Sequence, residues 1–168
     1  LTALGHEVEI LDAPPYDDHG MSTDFLLTWF ASAAADVAEV KALTGAGDDG
    51  FERDTLVMAA LGRATSAPEY VAAVNRRHDH VLRLATFFES YDLLLSPTVA
   101  KVPPKIGELE LAKPLAMAAD MLLKTRTAGL LSYTPIVDDM IKQNLGWVPY
   151  TQLANITGRP AISVPVYA

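Results

Sequence analysis

Residues 149–165 read PYTQLANITGRPAISVP, and this one short stretch holds a helix start, a helix stop and an apolar extended run. Thr151 has the side chain of an N-cap, and Leu153, Ala154 and Ile156 give the turns after it an apolar side. Gly158 can take the left-handed conformation that closes a helix, and Pro160 has no N–H with which to continue one. The run AISVP that follows predicts a strand over residues 161–166, buried on both faces. Such a turn brings its loop to an edge of the sheet, where α/β proteins tend to bind ligands, and spacing alone supports no more than that.

The same alternation of helix and strand continues towards the N-terminus. EVEIL at residues 7–11 alternates with the period of a strand, and DLLLS at residues 92–96 is a short apolar run halted by Pro97, with Thr98 opening the loop beyond it. Between them the apolar spacing predicts a long helix over residues 22–43, with Phe25, Trp29, Phe30, Ala33, Val37 and Val40 inward, and a second over 54–63. A third starts at Ser66, whose capping box is completed by Glu69 with Pro68 in the first turn, and runs to about residue 90. It is expected to turn Val71, Val74, Val81, Leu82, Ala85 and Phe88 inward. Further helices are predicted over 115–131 and 137–145.

Strands separated by helices, never by two-residue hairpins, imply crossover connections. The expected fold class is α/β: mostly parallel sheet strands with helical cover, in one partial domain over residues 1–168 with no internal boundary. LTALG at residues 1–5 resembles the last turn of a helix that has no beginning, and the final strand has nothing after it to cover or pair it. The expectation is an interior or C-terminal piece of a larger protein.

Composition narrows the function classes. Half the residues are hydrophobic and 20% are charged, the balance of a chain with a packed core. Thirteen basic against 21 acidic side chains leave a net charge of −8, a field that repels phosphate backbones and anionic headgroups, so neither nucleic acid nor a membrane surface is expected as a partner. Arg76-Arg77, the nearest approach to a basic cluster, reads as a solvated helix face. The absence of cysteine excludes disulfides and thiolate chemistry. With no apolar run of spanning length and no leader-like start, a cytoplasmic location is the default expectation.

The motifs that suggest chemistry each have a plainer explanation. GAGDDG at residues 45–50 fits the dinucleotide pattern G-x-G-x-x-G, but it follows a helix instead of a strand and sets Asp48 and Asp49 against any phosphate, so it reads as a helix-to-helix loop. His78 and His80 point away from one another on a helix, and the pairs Asp17-Asp18 and Asp138-Asp139 read as caps or exposed turns; no metal and no cofactor are expected. Ser96, Ser132 and Ser163 are the best-placed hydroxyls, yet none lies in G-x-S-x-G or beside a glycine-rich turn that would supply oxyanion donors. No catalytic residue is assigned within the chain.

PYTQLANITGRPAISVP resembles a segment of the amidase signature family that runs close to Tyr-Thr-x-x-Ala-Asn-x-Thr-Gly-x-Pro-Ala-x-Ser-x-Pro. LTALGHEVEILDAP at residues 1–14 and YDLLLSPTVAKVPPKIG at residues 91–107 resemble the same family in the same order. The resemblance implies a serine hydrolase of amides that uses a second serine in a cis peptide and a lysine, with the serines in a glycine- and serine-rich stretch. This chain has no Gly-Ser or Ser-Ser pair. The resemblance therefore implies that nucleophile, relay serine, lysine and oxyanion loop lie upstream of Leu1. What it leaves to this chain is helical cover and substrate-channel loops around Thr98, Tyr150, Thr151 and Asn155, facing a small-molecule amide. Two alternatives stay open: the amidase subunit of a tRNA-dependent amidotransferase, against which the acidic charge argues, and a non-catalytic helical interaction module.

Overall fold

The computed structural model describes residues 1–108, 110, 113–133 and 145–165. Its helices are α1 (Asp18–Thr44), α2 (Arg53–Ala64), α3 (Ala67–Phe87), α4 (Lys113–Lys124) and α5 (Gln152–Thr157), with 3-10 turns at Thr2–Leu4, Asp48–Gly50 and Ala128–Tyr133.

Local chemistry fixes the ends of these helices. α1 starts earlier than its apolar spacing predicts because the Asp17 carboxylate accepts the Gly20 N–H at 3.0 Å, placing a negative charge at the positive end of the helix. It stops at Gly45, whose φ of 71° lets its N–H return to the Lys41 carbonyl. The Lys41 ammonium then pairs with Asp48 across the turn, so GAGDDG is a helix-to-helix loop. α3 carries the full capping box: Glu69 N–H donates to Ser66 Oγ at 3.3 Å, and Ser66 N–H donates to Glu69 Oε2 at 2.8 Å. The helix expected over residues 115–131 is broken, since Arg126 takes a positive φ of 58° after α4 and the chain resumes as a 3-10 turn.

α1 is the central element. One side packs on α2 through Leu26, Phe30, Val57 and Leu61, with Ala119 of α4 and Leu145 closing the cluster; further along, Val37 meets Leu56 and Ala59. The α1–α2 approach is backbone-close at Gly62, where a Cβ would land on the Phe30 carbonyl oxygen and lie 2.9 Å from Ala31 N, so only glycine fits. α1 also buries Met21, Asp24 and Thr28, and Asp24 meets α3 through Arg76 and His80; the buried residues of α3 are Ala73, His80 and Leu84. This corrects the expected α3 face. Val71 and Leu82 are exposed, because the small Ala73 and the polar pair Arg76 and His80, which bind Asp24, set the rotation of the helix. Trp29 and Val40 of α1 are exposed as well.

The expected α/β fold with a mostly parallel sheet is overturned: among the described residues there is no strand. Residues 7–11, 92–96 and 161–165 lie outside any helix, and none of them makes a backbone–backbone hydrogen bond among the described residues. A strand is defined by a neighbour about 4.7–4.9 Å away that completes its ladder, and here the ladder has no second side. The predicted helix over 137–145 and the Asp138-Asp139 pair fall, apart from Leu145, outside the described residues, as does Val166.

Candidate functional site

Short contacts draw the loops singled out in the sequence towards each other. The Ala100 N–H donates to the Trp147 carbonyl at 3.0 Å, which ties the loop after Thr98 to the loop before Tyr150. Thr98 Oγ1 stands 3.5 Å from Ser163 Oγ, joining the first loop to the segment beyond α5. The Lys101 ammonium lies 5.3 Å from the centre of the Trp147 ring, a cation–π contact at the surface. α5 holds this assembly against the bundle: it packs on both α1 and α3, buries Gln152 and Ile156, and Gln152 Nε2 donates to the Pro149 carbonyl at 3.3 Å.

The four residues expected to face a substrate have different surroundings. Thr98 is exposed and, among the described residues, its hydroxyl meets only Ser163, while Tyr150 is half-buried beside Tyr16. Burial, then the charge of Asp18, then Tyr150 push the Tyr16 phenol above its ordinary pKa, so it stays a neutral donor. Thr151 occupies the residue before α5, as the sequence implies, but its hydroxyl donates back to the Val148 carbonyl at 3.3 Å and caps nothing. Its backbone is already helical, at φ −78° and ψ −22°, whereas a capping side chain needs an extended residue there. Asn155 is exposed on α5 with no hydrogen-bond partner among the described residues.

The candidate nucleophiles have no base. Ser132 Oγ donates to the Gly129 carbonyl at 2.8 Å, Ser163 meets only Thr98, and no carboxylate, imidazole or ammonium hydrogen-bonds to Ser96, Thr98, Ser132 or Ser163 among the described residues. A hydroxyl without a proton acceptor is not activated for attack. Nor is there, among the described residues, a group of three or more His, Asp or Glu side chains able to hold a metal ion. The described loops carry two hydroxyls, two phenols, an indole ring and an ammonium: Thr98, Ser163, Tyr16, Tyr150, Trp147 and Lys101. Sequence reasoning singled out Ser163 only as a hydroxyl and missed Tyr16, Lys101 and Trp147, because only the folded loops bring these residues towards Thr98 and Tyr150.

Comparison with known proteins places this geometry in context. The amidase family profile matches the chain over residues 1–168. The chain is 34% identical over 170 residues to AmiC of Mycobacterium leprae (strain TN), which carries the name of an amidase; the match covers 99% of this chain and 31% of that protein. It is 25% identical over 169 residues to the 6-aminohexanoate-cyclic-dimer hydrolase of Pseudomonas sp. (strain NK87), covering 99% of this chain and 31% of that one. A lipoamidase of Enterococcus faecalis is 33% identical over 81 residues, 48% of this chain and 11% of the lipoamidase. The chain thus spans about a third of the length of the curated relatives it matches end to end. No solved structure gives a significant match.

Proposed function

The chain belongs to the amidase family, and on that premise we propose that it is part of a longer amide hydrolase, to which it supplies helical cover and substrate-channel loops while the nucleophile and its activating groups lie in polypeptide upstream of residue 1. The observation that carries this reading is the family match over residues 1–168. That none of Ser96, Thr98, Ser132 and Ser163 hydrogen-bonds to a carboxylate, imidazole or ammonium among the described residues agrees with a division of labour in which this portion binds and the other portion reacts. Thr98, Tyr150, Thr151 and Asn155 face the channel, with Tyr16 and Trp147 as its aromatic rim. The substrate is a small-molecule amide. A cyclic amide belongs in any trial panel, because one relative is named as a hydrolase of a cyclic dimer.

The test is turnover of a panel of aryl, primary and cyclic amides by the longer polypeptide and by residues 1–168 alone. The longer protein is expected to hydrolyse at least one of them, and the isolated chain to match buffer. General-base action contributes about 10²–10⁴-fold and a single oxyanion donor about 10²–10³-fold, and Ser96, Ser132 and Ser163 have no base beside them among the described residues. Turnover by the isolated chain that disappears in Ser96→Ala, Ser132→Ala or Ser163→Ala would place the chemistry inside it and overturn the reading.

A further inference from the structure

Three apolar segments, tied to one another by short contacts, carry large side chains that are exposed among the described residues. Each carries a pair of large side chains two residues apart, the spacing that puts both on one face of an extended backbone: Val8 with Ile10, Leu93 with Leu95, and Ile162 with Val164. Ile10 is 89% exposed, Leu93 81% and Ile162 87%. The segments are neighbours, since Tyr91 Oη donates to Glu9 Oε2 at 2.6 Å, linking the first to the second, and Thr98 stands by Ser163, linking the second to the third. Six large exposed apolar side chains, on three segments tied together through the alternating residue Glu9 with Tyr91 and through Ser163 with Thr98, mark an interface.

We infer that this face is the contact surface for the remainder of the parent amidase polypeptide, and that the loops carrying Thr98, Lys101 and Ser163 lie at the margin of that contact. The inference rests on the reading of the chain as part of a longer amidase. Two quantities identify the occupant. The chain exposes 12129 Å², whereas a self-contained globule of 18.1 kDa exposes roughly 8,100 Å² by the scaling of surface with mass. The excess, about 4,000 Å², is more than the roughly 1,600 Å² that two partners together bury in a standard interface and falls in the range of permanent ones. The relatives supply enough polypeptide to cover it, because the match takes up only 31% of AmiC and 31% of the cyclic-dimer hydrolase. A second copy of this chain would have to bury the same patch against itself and would leave that other polypeptide without a seat.

The chain contains no cysteine, so single cysteines report position without background from it. In the longer protein, freed of any cysteine of its own, Ile10→Cys, Leu93→Cys and Ile162→Cys are reacted with a maleimide under native conditions and compared with Leu82→Cys, an exposed residue of α3 outside the three segments. Labelling at the three patch positions is expected to be slower by about tenfold or more, since a covered site reacts only through local opening. Equal rates overturn the inference, and so does protection that appears only as protein concentration rises, which would make a second copy the occupant. Hydrogen exchange of the unsubstituted longer protein guards against misfolded variants: slow exchange is expected at residues 7–11, 92–96 and 161–165, and exchange as fast as at the exposed turn 45–47 overturns the inference. Amide turnover, followed on the same preparations, separates the two readings. Turnover with equal labelling removes the surface and keeps the amidase, while protection without turnover removes the amidase and keeps the surface.

Discussion

Asp24 brings a carboxylate into the α1–α3 contact, where its side chain is 3% exposed. Arg76 meets it with a fork: Nε donates to Oδ1 and Oδ2 at 3.0 and 3.1 Å, and Nη2 donates to Oδ1 at 2.6 Å. His80 Nε2 stands 3.2 Å from Oδ2, which can only accept and so assigns a proton to that nitrogen, and Nδ1 is buried with no partner among the described residues. The two sides of the ion pair are unequal, because the Arg76 side chain keeps about half its surface in water and the Asp24 carboxylate keeps almost none. Arg76→Met is therefore expected to strand a buried charge and cost about 3–5 kcal/mol. Asp24→Asn leaves an arginine that water can still serve, at about 1–3 kcal/mol. Urea midpoints of the two variants check the order, and equal losses would mean that the pair acts like an exposed one. Sequence reading assigned Arg76 to a solvated face; the signal against that was its i, i+4 relation to His80, but the acid facing them lies far away in the chain and no spacing rule reaches it.

At the scale of elements, what was legible is what is local. Ser66 and Glu69 are three residues apart, and their capping box forms as the sequence implies because both hydrogen bonds close within the first turn of α3. The inward face of α3 was not legible. Its apolar periodicity offers Val71 and Leu82, yet the contact with α1 selects Ala73, His80 and Leu84, and that choice depends on a partner the helix does not encode. The cap also has a pH dependence with a definite sign. Hydrogen bonds from the Ser66 hydroxyl and backbone hold the Glu69 carboxyl below its ordinary pKa, so the folded chain binds the proton less readily than the unfolded one. Its stabilisation is then complete above the unfolded carboxylate pKa and is lost as pH falls through the folded value. Ser66→Ala is expected to cost about 1 kcal/mol at neutral pH, and the difference from the parent sequence should shrink on acidification. Denaturant titrations of both proteins across the acid range measure it, and a difference that stays constant with pH would remove Glu69 from the cap.

For the whole molecule, residues 7–11, 92–96 and 161–165 mark the limit of what a sequence can specify. Alternation and β-branching identify segments suited to extended backbone, but a strand also needs a second backbone beside it, and the described residues provide none. The helices do not share that dependence, since each satisfies its own N–H and C=O groups and then needs only an apolar face to bury. Stability in residues 1–168 should therefore be distributed very unevenly. α1, α2 and the inward turns of α3 surround Phe30, Leu61, Ala59, Ala73 and Leu84, all nearly inaccessible, and their amides can exchange only when that packing opens. The three segments have no backbone partner among the described residues, and Leu94 alone of their residues is partly buried. Hydrogen exchange of the isolated chain, resolved by segment, is expected to show slow amides in α1, α2 and α3, and amides at 7–11, 92–96 and 161–165 exchanging close to the rate of an unfolded peptide. Protection of residues 92–96 in the isolated chain, at the level seen in α1, would mean that these segments do find partners within it and that the helical description is incomplete.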